Sequence, residues 1–440
     1  MANVTILGAG LVAGPVVRHL LEASSHTVTV AARSVDRAAE LVAGHPRGRA
    51  VPLEIDDDAA LDALAQGSDV MVSMLPYLHH VRVAERCITH RKHLVTTSYV
   101  SPAMRALDAR AREAGVALLN ELGLDPGIDH MSAMRIIHRV RAAGGTVTSF
   151  RSYCGGLPAP EANDNPFGYK FSWSPRGVVL AARNAARYLQ DGAVVSIPGP
   201  ELFARPERVE IPGAGVFEGY PNRDSVAYVD TYDLAGVQTM FRGTLRNVGH
   251  CETWKAMADV GLFDDAARSY ASATYRGVLA SLAGVAVDED VEAAVAARGH
   301  VALDSAPIAK LRWLGMFDAA PLADRNTSPL DALVARMVEK LQYKPGERDM
   351  IVLQHSFVAR YGERSEALRS TLVDYGIPGG ASAMSRTVGL PAAIGVLRLL
   401  DGTIAERGVV VPVTPQVYDP ILDELEALGI RFHEERSPLP

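Results

Sequence analysis

Val4-Thr5-Ile6-Leu7-Gly8-Ala9-Gly10-Leu11-Val12-Ala13 stands at the start of the chain and decides its fold. Apolar and β-branched residues lead into Gly-x-Gly-x-x-Ala, and an amphipathic run follows. That order specifies strand, tight turn and helix, the form of a dinucleotide-binding site. Gly8 permits the sharp turn. Gly10 has no side chain, so a pyrophosphate can come up to the backbone. Ala13 lets the helix pack closely on the strand, and the helix N-terminus turns free N–H groups and a positive dipole end toward the phosphates. A lone Gly-x-Gly-x-x-Ala also occurs in ordinary turns. Here its position counts, because a second strand-like run, Thr27–Ala32, comes one βαβ unit later.

The second run also bears on which dinucleotide binds. NAD sites usually end this strand in an Asp or Glu that holds the ribose 2′-OH. This one ends Val30-Ala31-Ala32-Arg33-Ser34, without an acid. A carboxylate would repel a 2′-phosphate, whereas Arg33 and the Ser34 hydroxyl would bind one. NADP is expected over NAD. Ser34 also suits a helix N-cap, with Asp36 in the first turn, and the two roles are compatible.

Composition narrows the class. A chain of 440 residues can hold two or three domains. Its hydrophobic fraction of 48% is that of a globular protein without membrane spans, and no apolar run reaches transmembrane length. A net charge of −7 disfavours nucleic acid and anionic membranes as partners. The start carries no basic region and apolar run of a signal peptide. Cys87, Cys154 and Cys251 are far apart, so neither a metal site nor a disulfide framework is expected. A reducing cytoplasm fits.

Strand-like runs recur at 4–7, 27–32, 50–55, 70–74, 94–97 and 116–119, with helical patterns at 35–43, 57–66, 77–89 and 102–114 between them. This alternation predicts an α/β fold, a Rossmann-type doubly wound parallel sheet. Ligands then lie beyond the carboxyl ends of the strands. The candidate ends are Ser73–Tyr77, Thr96–Tyr99 and Asn120–Gly127. The cofactor set is Gly8, Gly10, Leu11, Val12 and Ala13 on the first turn, Arg33 and Ser34 after the second strand, Asp56 after the third, Leu75 after the fourth and Ser98 after the fifth. The rhythm changes after Gly127. Residues 1–127 are read as the cofactor domain. Residues 128–375 are read as an inserted α+β substrate and dimerisation domain, helical from about 250 to 345. Residues 376–440 are read as a returning helix and terminal segment that pack on the first domain. The Gly/Pro/Asn-rich segment 155–174, with Glu161, Asp164, Tyr169, Lys170 and Trp173, carries too much side-chain chemistry for a plain linker.

Longer blocks carry a family resemblance. Val95-Thr96-Thr97-Ser98-Tyr99-Val100-Ser101-Pro102, Glu121-Leu122-Gly123-Leu124-Asp125-Pro126-Gly127-Ile128-Asp129-His130 and Ser152-Tyr153-Cys154-Gly155-Gly156-Leu157-Pro158-Ala159-Pro160 resemble the glutamate-forming saccharopine dehydrogenases, also called saccharopine reductases. The match continues through residues 165–174, 220–225, 242–246 and 344–350, in order along nearly the whole chain. The chain resembles the monofunctional form, without the ketoglutarate-reductase half of the bifunctional animal and plant enzymes. The resemblance implies NADP-linked interconversion of saccharopine with L-glutamate and 2-aminoadipate 6-semialdehyde, in lysine metabolism. A secondary amine loses hydride from the lysine ε-carbon, and the resulting imine is hydrolysed. It also implies a Rossmann domain, a mixed substrate domain and a homodimer.

The residues suit a substrate with three carboxylates and two amines. Carboxylates call for arginine forks, and Arg223, Arg242 and Arg246 all lie in matching blocks. Thr244 with Arg246 suits one carboxylate and Arg223 another. Tyr99, Asp125 and Cys154 are the candidate acid–base groups, with Ser98, Tyr99 and Asp125 also as substrate contacts. None need be indispensable, because water can carry protons in an open cleft. The plainer roles are a helix cap for Asp125, packing for Tyr99 and a small core hydrophobe for Cys154. His79-His80 is assigned to capping or surface, His130 to support of the Asp125 loop, and Gly123 and Gly127 to the backbone path. The alternative activity is a related opine- or polyamine-type reductive aminase, for example on a carboxyspermidine-like substrate. A catalytically inactive NADP-binding scaffold is the reading from another class, and it would bind NADPH without turning over saccharopine.

Overall fold

In the computed structural model, which describes residues 1–439, the opening run forms strand β1 (Asn3–Leu7), buried from Val4 onward. It is followed by β2 (Thr27–Ala32), β3 (Gly48–Pro52), β4 (Val70–Ser73), β5 (His93–Thr96) and β6 (Ala117–Leu119). All pair in parallel, in the order β3-β2-β1-β4-β5-β6, so the doubly wound sheet expected from the alternation is present. The order reverses between β1 and β4, where such sheets open a crevice. Helices α1 (Gly14–Ala23), α2 (Val35–Val42), α3 (Asp58–Gly67) and α4 (His80–His90) fill the crossovers. Their starts are written in the sequence: Ser34 and Asp57 cap α2 and α3 by accepting from Arg37 N and Ala60 N.

Two helices depart from expectation. The run 77–89 begins as a 3₁₀ turn, Tyr77–His79, before α4. The run 102–114 splits into α5 (Pro102–Arg105) and α6 (Asp108–Glu113). Between them Leu107 N donates to Met104 O, a tighter 3₁₀-type bond, and both side chains are buried. Then comes α7 (Ile128–Ala142).

The chain divides into two units, Met1–Thr146 with Gly380–His433, and Val147–Gly379 with the residues from Glu434 on. The boundary expected at 127 therefore falls at 146. The reason is α7, whose Arg135 reaches Asp419 at 2.8 Å and Asp423 at 2.7 Å within the first unit.

The second unit opens on β7 (Thr146–Pro158). Residues 155–158, expected as loop, continue this strand, which is flanked in the sheet on both sides. The chain goes on through α8 (Pro175–Ala181), β8 (Ala186–Gln190), β9 (Ala193–Ile197), β10 (Glu207–Ile211), β11 (Gly215–Pro221), α9 (Ala227–Thr231) and β12 (Thr239–Asn247). The predicted helical stretch follows: α10 (His250–Val260), the strand β13 (Arg268–Ser269), α11 (Tyr275–Ala283), α12 (Val291–Arg298), α13 (Ala306–Leu314), β14 (Asn326–Thr327) and α14 (Pro329–Lys340). A long hairpin, β15 (Asp349–Tyr361) and β16 (Arg364–Tyr375), completes a mixed sheet in the order β10-β11-β12-β7-β15-β16. One face of that sheet packs on itself through Tyr153, Phe217, Phe241 and Leu245. The helices bury a core of their own around Trp254, Leu279 and Leu311.

The chain then returns to the first unit as α15 (Ala383–Leu400), capped by Ser382. Contrary to expectation, this segment is long and apolar enough to cross a membrane by length and composition, yet 67% of it is buried inside the protein, as in a core helix. Strand β17 (Gly408–Val410), not foreseen, adds to β6 at the sheet edge, and α16 (Pro415–Ala427) follows. The last strand, β18 (His433–Leu439), departs from the expected packing on the first unit and lines up beside β16. Its side chains are exposed, and opposite charges steer the pairing: Arg369 lies 3.3 Å from Glu435 and Arg436 lies 3.9 Å from Glu366.

Candidate active site

The first unit presents its strand ends at the β1/β4 crevice. Gly8 has φ 105, and a Cβ there would lie 3.2 Å from Met74 O, so only glycine makes this turn. Gly10 is exposed with nothing within 4 Å of a built Cβ, which leaves the approach to the backbone clear. Leu11 is exposed, Val12 half-buried and Ala13 fully buried under the start of α1. Leu75 closes the other side, 3.6 Å from the Gly8 position. This cradle fits a pyrophosphate on a helix N-terminus. Arg33 and Ser34 are exposed after β2, and Ser34 does cap α2, at 3.4 Å from Arg37 N. Asp56 is exposed and holds Arg82 at 2.9 Å.

His80 was missed by the sequence reading, which placed it at a cap or the surface. It is buried. Its Nδ1 lies 2.8 Å from Ser73 Oγ and its Nε2 2.9 Å from Ser98 Oγ. Burial, with a smaller push from the neighbouring His79, lowers its pKa to about 4, so the ring is neutral at physiological pH. Nothing in the local pattern distinguishes it from His79. Only the path of the chain from β4 into α4 turns it inward.

The structure brings Tyr99 and Asp125 together, with the phenol donating to Asp125 Oδ1 at 2.5 Å. Both are half-buried. Asp125 does not cap α7. The N-cap position is Gly127, whose N–H is taken by Asp129 Oδ1 at 2.6 Å. Gly127 sits at φ 148 with its Cβ position 2.0 Å from Gly123 O, so the Asp125 turn closes backbone on backbone and leaves no room for a side chain there. The Asp125–Pro126 bond is cis.

In the second unit, three adjacent strands place Tyr220, Thr244 and Cys154 in one row: Tyr220 is the Cα partner of Thr244, and Thr244 of Cys154. Arg246 lies two residues past Thr244, on the same face of β12. It is 8% exposed, its Nη1 donates to Leu245 O at 2.8 Å, and its Nε has no hydrogen-bond partner. Its guanidinium stands 5.1 Å from the Tyr169 ring centroid. Burial works against its charge, but Tyr220, Tyr169, Cys154 and Cys251 outweigh burial and raise its pKa. A buried cation with a donor to spare is suited to an anion. Close by, His250 stacks between Tyr220 and Trp254, at 6.1 Å and 4.7 Å. Burial first, then Arg246 and Lys310, hold it neutral. Cys154, like the other two cysteines, is buried and forms no disulfide.

Arg223 stands apart from this row. It is exposed, at φ 54 just past β11, and its carbonyl accepts from Arg187 N at 2.9 Å. Arg242 is buried, 4.4 Å over the Tyr228 ring. The loop lysine Lys170 is structural, held at 2.7 Å by both Asp164 and Glu347.

The comparisons with known proteins agree along the whole chain. The NADP-binding-domain model of saccharopine dehydrogenase matches residues 4–119, and the C-terminal-domain model matches residues 123–430. A relative from Pyricularia oryzae, named saccharopine dehydrogenase (NADP(+), L-glutamate-forming), is 42% identical over 98% of this chain and 98% of its own. The Saccharomyces cerevisiae protein of that name is also 42% identical, over 98% of this chain and 99% of its own. The solved apo structure of histidine-tagged saccharopine dehydrogenase (L-Glu forming) from S. cerevisiae superposes with a TM-score of 0.88 at 40% identity, covering 99% of this chain and 100% of that one. With both domain models matched in order and relatives aligned end to end, the chain belongs to the saccharopine dehydrogenase family.

Proposed function

We infer that the chain is an NADP-dependent saccharopine dehydrogenase of the L-glutamate-forming kind, an oxidoreductase acting on a CH–NH group. It interconverts L-saccharopine and water with L-glutamate and 2-aminoadipate 6-semialdehyde, as part of lysine metabolism. The observation that carries this reading is the end-to-end likeness to glutamate-forming enzymes at 42% identity. When bound, the nicotinamide cofactor takes up or supplies the hydride.

The chain's own residues are assigned the remaining work. The 8–13 turn and the start of α1 hold the pyrophosphate, Leu75 and Ser98 flank it, and Arg33 with Ser34 reads the 2′-phosphate. Asp56 is assigned to the cofactor edge as well. Arg246 with Thr244 grips one substrate carboxylate, and Arg223 a second. Asp125, carrying the Tyr99 phenol, holds the substrate's amine and moves a proton to or from it. Cys154 stands beside Thr244 as the third candidate for proton transfer. A homodimer completes the proposal, in a reducing cytoplasm that suits three buried cysteines outside any disulfide.

Initial rates of the purified protein with saccharopine, against NADP and NAD in turn, test the reading. Turnover with saccharopine and a strong preference for NADP are expected. Faster turnover of a carboxyspermidine-like or simple opine substrate would replace it with a related reductive aminase. Tight NADPH binding without saccharopine turnover would leave only a binding scaffold. Light scattering at micromolar concentration tests the dimer.

A further inference from the structure

Glu121 adopts the left-handed backbone conformation, at φ 59, in the loop that carries Asp125. Its backbone N–H donates to Ser98 O at 3.2 Å, and its carboxylate Oε1 accepts from Val100 N at 2.9 Å. One residue therefore bonds both chain neighbours of Tyr99. Its other oxygen, Oε2, lies 2.8 Å from His130 Nε2. On the far side of that ring, Nδ1 lies 3.8 Å from Asp129 Oδ2, and Asp129 Oδ1 takes the Gly127 N–H. Glu121, Asp129 and His130 are 5%, 2% and 0% exposed. The cluster thus runs from the strand end that bears Tyr99 to the turn that bears Asp125.

Two features say that the carboxylate is there for its bonds. A glycine would take this backbone conformation with less strain than a glutamate. A buried carboxylate is costly without compensation; here Oε1 accepts the Val100 N–H and Oε2 stands within ion-pair distance of the His130 ring. We propose that Glu121, backed by His130, is a positioning residue that fixes the Tyr99 hydroxyl against Asp125 for proton transfer. The proposal rests on the assignment of Tyr99 and Asp125 to the substrate. It deepens that assignment by naming what aligns the pair: both side chains come from loops, and an ångström of displacement at such a pair can cost a hundredfold in rate.

Steady-state kinetics of Glu121→Gln and Glu121→Gly, alone and combined with Tyr99→Phe, test it. Glutamine keeps the size and removes the charge facing His130. Glycine keeps the backbone conformation and removes the clamp. Each is expected to lower kcat about tenfold or more while the Kd for NADPH stays within about twofold of the parent. With Tyr99 already replaced, neither should lower kcat further. A purely backbone role predicts parental kcat in Glu121→Gly, and that result overturns the proposal. So does a loss that multiplies in full with that of Tyr99→Phe. If Tyr99→Phe and Asp125→Asn alone retain parental kcat and pH profile, the substrate assignment itself has failed, and the positioning role goes with it. Glu121→Gln keeps the question answerable if glycine loosens the loop.

Discussion

His80 Nε2 lies 2.9 Å from Ser98 Oγ while its Nδ1 lies 2.8 Å from Ser73 Oγ, so one buried imidazole ties the end of β4 to the end of β5. The folded ring takes a proton only near pH 4, against 6.5 for an ordinary histidine. Between those values the unfolded chain binds the proton and the folded one does not. Stability from this residue is therefore complete above pH 6.5 and drains away as the pH falls toward 4, by at most about 1.4 kcal/mol per pH unit. In His80→Asn that component disappears. Urea unfolding at pH 7.5 and 5 should show a smaller acid-induced loss in the variant than in the parent. Equal losses would mean that His80 titrates normally.

Arg33 tests the cofactor preference. It is exposed, beyond the end of β2, so Arg33→Ala should leave the fold intact. A guanidinium bonded to a phosphate contributes a charge-assisted hydrogen bond, and its loss should weaken NADPH binding by about 10–100-fold. NADH lacks the 2′-phosphate and should bind about as before. Fluorescence titration with both nucleotides decides. Equal weakening would place recognition of the 2′-phosphate elsewhere.

The first turn, the parallel strands and the capped helices were legible because they depend on local pattern. Ser34, Asp57 and Ser382 each act on residues within a few positions of themselves, and Gly8 is marked by the Gly-x-Gly-x-x-Ala run around it. The Tyr99–Asp125 pair was legible only as two strand ends that would meet, since the contact spans 26 residues. His80 was not legible, because its two serine partners come from different strands and sequence spacing does not encode their approach. The boundary after α7 was missed for the same reason. Its anchors, Asp419 and Asp423, lie nearly three hundred residues away. The row of Tyr220, Thr244 and Cys154 is a product of strand register, which the sequence blocks do not reveal by themselves.

The two arginines proposed to hold substrate carboxylates call for different variants. Arg246 is 8% exposed and packed on an aromatic ring, so truncation would leave a cavity. Arg246→Lys keeps the charge and loses the planar fork. We expect the KM for saccharopine to rise about tenfold, with NADPH binding unchanged. Arg223 is exposed, and Arg223→Ala should raise the same KM about 10–100-fold without loss of stability. An unchanged KM in either variant removes that residue from the substrate site.

Gly127 and Gly115 separate backbone strain from steric closure. Both have positive φ, 148 and 71. A Cβ on Gly115 would meet nothing within 4 Å, so Gly115→Ala carries only the conformational penalty, about 1–2 kcal/mol. A Cβ on Gly127 would lie 2.0 Å from the Gly123 carbonyl oxygen, which also accepts from Ile128 N at 2.8 Å. The oxygen cannot retreat without giving up that bond and opening the turn. Gly127→Ala should therefore cost more than about 4 kcal/mol, or else fold with the turn sprung and Asp125 drawn away from Tyr99. Thermal unfolding of the two variants, read together with kcat, distinguishes these outcomes from a third. If Gly127→Ala loses no more stability than Gly115→Ala and keeps its kcat, the closed turn is not what holds Asp125 in place.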